Sequence, residues 1–161
     1  MPASHASTLL ALAFCLAASM ECASAGDAPP IFAQKLVEET KASHSNIVTI
    51  GIHAKPPGTS DYIIIAHTNL TSVGHKSEGA DLVTLATGNI DGPNPLPGGV
   101  FDVGVPLKDQ AGRNVGFVAV HVHPDADSKD PKGVALHSVL KLRDEMAHKI
   151  PSEAALFKTG D

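Results

Sequence analysis

Apolar and polar positions along the chain alternate with two different periods, and the periods divide it into elements. Over residues 31–43, Phe32, Leu36, Val37 and Thr40 recur at helical spacing behind Pro29-Pro30, and Pro30 suits a first helical turn. The next stretch, residues 47–53, is rich in β-branched residues and ends at the breaker Lys55-Pro56-Pro57-Gly58; a second such run, 62–67, follows it. These two read as a hairpin. Ser77 is placed to cap a short helix through Leu82, Leu85 and Ala86 that Gly88 would close.

Residues 89–99 hold three prolines and three glycines, which predicts an irregular segment with a short strand at most at its start. Runs 100–107 and 115–123 flank Lys108-Asp109-Gln110-Ala111-Gly112-Arg113-Asn114, whose Asp and Gly supply turn chemistry, and form the clearest hairpin. Asp130-Pro131 then serves as cap and first turn for a closing helix with Leu136, Val139, Leu140, Met146, Ala147 and Ile150 on one face, ending at Pro151. Two hairpins separated by a helical crossover and flanked by terminal helices predict an α+β domain with an antiparallel sheet.

The first residues follow another logic. An apolar run over 8–18, then Cys22-Ala23-Ser24-Ala25, reads as the hydrophobic region and A-x-A-like cleavage site of a secretory signal peptide over residues 1–26; the run is too short to span a bilayer. No Lys or Arg precedes it, so the positive charge there would come from the terminal amine. The expected organisation is a leader, 1–26, one domain over 27–151, and a loosely held tail, 152–161, with a periplasmic or secreted destination. Cleavage would remove both cysteines and Glu21 and leave about 135 residues with 12 basic and 16 acidic side chains, a net charge of −4. Disulfide, thiolate and Cys-ligated zinc chemistry are then excluded. The mild negative charge without a basic cluster or aromatic ladder argues against nucleic acid as a partner. With no second apolar span, signalling to the cytoplasm would need a separate membrane partner.

Two segments carry a family likeness. Residues 62–82, from Tyr62-Ile63-Ile64-Ile65-Ala66-His67 through Asn69 and Gly74-His75-Lys76 to Asp81-Leu82, and residues 105–120, from Val105-Pro106-Leu107 to Val118-Ala119-Val120, resemble the second strand with its crossover and the last hairpin of single Cache modules. These are extracytoplasmic domains of the PAS kind. Together the segments cover about a quarter of the chain. The resemblance implies a five-stranded antiparallel sheet flanked by N- and C-terminal helices. It also implies a pocket for a small carboxylate or amino-acid-like ligand, and a last strand whose end lies near the start of the first strand and the end of the second. The chain departs from the family in carrying no membrane helix or output domain.

Nine histidines, His5 among them in the leader, are many for this length, and His121-Val122-His123 sets two imidazoles at i and i+2 on one strand face. With the implied strand order, His67 and His44 could join that pair as a site for a divalent metal or haem, while His53 falls at the opposite end. The alternative is four solvated strand-end histidines. Alternation along the last strand puts Val118, Val120 and Val122 on one face, to pack under the terminal helices. Val115, Phe117, Ala119, His121 and His123 lie on the other, facing the pocket with Tyr62, or with Ile63, Ile65 and His67, depending on register. Arg113, Lys108 and Lys76 could pair a ligand carboxylate or be exposed turn charges. The expected ligand-binding set is Tyr62, Ile65, His67, Arg113, Phe117, Ala119 and His121. No nucleophile elbow, phosphate-binding glycine loop or His-Glu-x-x-His occurs, and nothing in the spacing of Asp81, Asp102, Asp125 and Asp127 pairs them. Three readings follow in order: a small-molecule sensor domain, a histidine-based metal or haem protein, and an enzyme whose catalytic groups no motif reveals.

Overall fold

A computed structural model describes residues 31–125 and 127–159; the leader read over 1–26 lies outside the described residues. Helix α1 (Phe32–Ser43) buries Ala33, Leu36, Val37 and Thr40, the i, i+3, i+4 pattern of a helix lying on a core. Strands β1 (Ile47–Ala54) and β2 (Ile63–His67) form the first hairpin. Helix α2 (Ala80–Thr87) crosses to β3 (Asp91–Leu96), and the meander closes through β4 (Val100–Lys108) and β5 (Asn114–Val122) before α3 (Pro131–Ala147). All neighbours are antiparallel in the order β2-β1-β5-β4-β3. The fold class is the α+β class expected, with the last strand beside the first.

The valine face behaves as alternation requires. Val118, Val120 and Val122 are fully buried and join Ile50, Ile52, Val103 and Val105 in one cluster with Leu36 and Val37 of α1 and Val139, Leu142 and Met146 of α3. Each such side chain contributes about 1.5–3 kcal/mol on burial, so this layer holds the terminal helices on one side of the sheet. Asp130 caps α3 as expected, its Oδ1 accepting from the Gly133 N–H at 2.9 Å.

Several expectations are corrected. Ser77 does not cap α2, whose N-cap is Gly79; Gly88 does end it, in the left-handed conformation that glycine adopts at least cost. The proline-rich segment forms the full edge strand β3, with Pro93 in the register break between Asp91 and Asn94 and Pro95 opposite Phe101. The supposed loose tail is part of the fold. Residues Glu153–Phe157 make a 3-10 turn that buries Ala155 and Leu156, the Phe32 N–H donates to the Lys158 carbonyl at 2.7 Å, and Ile31 bridges Thr159. Two bulges also reverse side chains. A register shift opposite Ile52/His53 turns Ile65 into the helix-side cluster, and one between Leu107 and Lys108 does the same for Val115.

Candidate functional site

The sheet face turned away from α1 and α3 is built from registered rows. One row runs His67, Gly51, Ala119, Gly104, Asp91 across all five strands. A second runs His53, Phe117, Pro106, and a third Thr49, His121, Asp102. The central row therefore places the smallest side chains in the chain on the three central strands, where a sheet otherwise carries valine or isoleucine. Neither glycine is there for its backbone freedom. A Cβ at Gly51 would stand 2.6 Å from Cδ2 of His67, and one at Gly104 would stand 2.5 Å from the Phe117 ring. Each glycine lets a ring down onto the sheet, and Ala119 between them is only partly covered.

The walls are polar. His53 is 6 % exposed; its ring meets Phe117 edge-on at 5.1 Å between centroids, and its Nδ1 faces Ser77 Oγ at 2.9 Å and Asp81 Oδ2 at 3.5 Å. Ser77 is held there because the backbone of residues 74–77 pairs along the outer edge of β2: Ile64 N–H donates to the His75 carbonyl, and Ser77 N–H to that of Tyr62. His67 is fixed from behind by α1. The Gln34 carboxamide oxygen accepts from the His67 N–H at 3.0 Å, and its Nε2 donates to the His67 carbonyl at 3.1 Å. At the open end, His121 Nε2 lies 3.6 Å from Asp102 Oδ1, and Asp91 accepts from the Asn94 amide at 3.3 Å.

Two tautomers follow from these contacts. The Asn69 N–H at 2.8 Å must donate to His67 Nδ1, so neutral His67 carries its proton on Nε2. Beside the Asp81 carboxylate the proton of His53 belongs on Nδ1, leaving its Nε2 as an acceptor. Burial and the neighbouring His67 lower the His53 pKa to about 4, and burial with the nearby His121 lowers that of His67, so both rings are neutral at neutral pH. Burial raises the Asp81 carboxyl, with Asp102 and Asp91 adding to the rise. Burial raises Asp102 too, against the pull of His121 and with a further push from Asp91.

Hydroxyl, imidazole and carboxylate meet at His53, but Ser77 and Asp81 address the same nitrogen. A relay needs them on opposite nitrogens, so this trio is not assembled as a hydrolytic triad.

Four of the seven expected ligand residues gather here: His67, Phe117, Ala119 and His121. Three do not. Tyr62 lines a separate cavity of about 150 Å3 with Leu85, Pro106 and Glu153; Ile65 is in the core; and Arg113 is clamped to Asp109 in the β4–β5 turn, at 2.7 Å from Nε and 2.6 Å from the terminal nitrogen. The expected His44, His67, His121 and His123 metal group is not assembled. His44 bridges the helices, its Nε2 3.1 Å from Glu145 of α3, and His123 is exposed beyond the end of β5. Among the described residues no group of three or more potential ligands is set for a metal ion. The lateral offset of β2, with His67 opposite Gly51, brings His67 to His53 rather than to His44. Sequence reasoning missed His53, Ser77, Asp81, Asp91 and Asp102; alternation from Gly51 and Gly104 was the available signal for His53 and Asp102.

No family model matches the chain, and no curated protein matches it. Among solved structures, a GAF sensor protein from Burkholderia vietnamiensis is similar at 14 % identity over 71 % of this chain and 74 % of that one, with a TM-score of 0.46. The Agrobacterium tumefaciens repressor BlcR is similar at 12 % identity over 74 % of this chain and 67 % of that one, with a TM-score of 0.48. Likeness at this level assigns no function.

Proposed function

We propose that the chain is an exported small-molecule sensor domain whose ligand lies on the open sheet face, over Ala119. The observation that supports this reading is the Gly51, Ala119, Gly104 row, which gives up side chains on three adjacent central strands beneath a ring of imidazoles and carboxylates. Gly51 and Gly104 admit the His67 and Phe117 rings, and Ala119 is left between them as the partly exposed position. The amino-acid-like ligand implied by the family resemblance finds a donor for its carboxylate in His67 Nε2–H and acceptors for its ammonium in Asp91 and Asp102. Export is supported by the apolar run over 8–18 with its small-residue cleavage motif. No described helix is long and apolar enough to cross a membrane.

Thermal-shift screening with small carboxylates, amino acids and amines tests the site when wild type is compared with Ala119→Leu. The expected result is a stabilising compound whose effect Ala119→Leu abolishes. A shift that survives Ala119→Leu and disappears when the Tyr62 and Leu85 cavity is filled would move the ligand elsewhere. Sequencing the N-terminus of protein recovered from outside the cytoplasm tests export; a retained leader on cytoplasmic protein would refute it.

A further inference from the structure

Helix α2 is seated in the reverse of the usual amphipathic sense. Its one buried residue is Thr84, 3 % exposed, while Leu82 and Val83 stand 44 % and 58 % exposed. Both ends are glycines of positive φ, Gly79 at 54° and Gly88 at 71°, conformations that other residues enter only with strain. A helix that buries a hydroxyl where leucine would pack gains little from its seat. Its first turn is tied down by Asp81, which approaches His53 at 3.5 Å.

Beneath the helix Thr84 lines a cavity of about 150 Å3. Thr84 and Tyr62 bring hydroxyls to it, Asn114 a carboxamide and Glu153 a carboxylate, while Leu85 and Pro106 supply carbon. Among the described residues no Lys, Arg or His lines it. The hydroxyls and the carboxamide both donate and accept, and the carboxylate only accepts. An anion would meet Glu153 with no cation to balance it, and an ammonium would find one carboxylate that is exposed to water. A neutral compound with several hydroxyls matches the lining, and its carbons fit against Leu85 and Pro106. The space equals about five waters at roughly 30 Å3 each, which limits the ligand to about six non-hydrogen atoms.

We propose that this cavity binds a small neutral diol or triol, its hydroxyls shared among Thr84, Tyr62, Asn114 and Glu153, and that α2 is the cover that moves about Gly79 and Gly88 to admit it. The site is separate from the sheet face over Ala119 and stands whether or not that face binds a ligand.

Amide spectra of the 15N-labelled full chain test this during titration with propanediol, sodium acetate and ethylammonium chloride. Propanediol should give saturable shifts at Leu85, Asn114, Gly116 and Glu153, and the two ions none there. Thr84→Val keeps the shape and removes the hydroxyl. It should weaken the diol about three- to tenfold, the worth of one neutral hydrogen bond. Because the change makes a buried position more apolar, the variant should melt no lower than wild type, which separates lost binding from lost folding. Thr87→Val, at the exposed end of α2, is the control whose diol affinity should not change. In hydrogen exchange the α2 amides should exchange faster than those of α3, and slow when the diol is bound. Diol shifts that never saturate, or saturable ones that Thr84→Val leaves unchanged, would overturn the site. Acetate or ethylammonium saturating these amides in the diol's place would overturn the ligand class. Amides of α2 as protected as those of α3 in the free protein would overturn the moving cover.

Discussion

Substituting Gly104 isolates the packing of the Phe117 ring onto the sheet. Its backbone is ordinary strand, so alanine there carries no conformational penalty and would, on an open sheet, gain roughly 0.5–1 kcal/mol from the lower chain entropy of the unfolded state. The added Cβ, however, would meet Cε2 and Cζ of Phe117 at 2.5 Å, and that ring is 1 % exposed and held against His53. Overpacking of this kind costs about 1–3 kcal/mol. The clash wins, and Gly104→Ala should destabilise by roughly 0.5–2 kcal/mol, a fall of about 2–8 °C in Tm for a domain of this size. The sign should invert in a Phe117→Leu background, where the shorter side chain leaves the Cβ room and only the backbone gain remains. A double-mutant cycle should therefore show coupling of about 1–3 kcal/mol between the two positions. With no tryptophan and one tyrosine, urea unfolding is best followed by far-ultraviolet circular dichroism. If Gly104→Ala stabilises equally in both backgrounds, the Phe117 ring does not lie on Gly104 and the packing of this face is different.

The His53 imidazole, lowered from 6.5 to about 4, stays neutral in the fold where the unfolded chain takes up a proton. Stability should then be full above pH 6.5 and fall as pH drops towards 4, by at most about 3 kcal/mol. The raised Asp81 and Asp102 carboxyls work in the opposite sense, stabilising as they protonate, so His53→Gln should flatten or invert the slope; an unchanged slope in urea midpoints would refute this. Leu156→Ala should cost about 2–5 kcal/mol because Leu156 is fully buried, whereas a loose tail would show no change in the same assay. Arg113→Gln should lower Tm, since it removes the partner that holds the Asp109 carboxyl below its usual range, and should leave ligand affinity unchanged. His44→Gln with His123→Gln should not alter zinc uptake measured by elemental analysis; a stoichiometric loss of bound zinc would restore the four-histidine site.

Much of the architecture was legible because it rests on local pattern. The β-branched runs, the Asp130-Pro131 cap and the Gly88 terminator each act within a few residues, and the alternation of Val118, Val120 and Val122 identified the buried face. What escaped depends on offsets between strands. A bulge changes the facing of every residue beyond it, and nothing local in Ile63-Ile64-Ile65 or Asn114-Val115-Gly116 announces one, so Ile65 and Val115 were placed on the wrong face. The candidate site fared similarly. His67, Phe117, Ala119 and His121 followed from alternation, but Asp81 and Asp91 reach the site only through the crossover of α2 and the edge pairing of β3. Leu156 was missed because a short 3-10 turn has too few residues to show a period.

The location of the site can be read directly from assigned amide spectra of the 15N-labelled protein during titration with the most stabilising compound of the thermal-shift screen. Binding over Ala119 requires the largest, saturable shifts at Gly51, Gly104, Ala119 and His121, with little change at Leu85, Asn114 and Glu153. Saturable shifts centred on Leu85, Asn114 and Glu153, with the glycine row unmoved, would place the ligand in the smaller cavity and contradict the assignment of the sheet face.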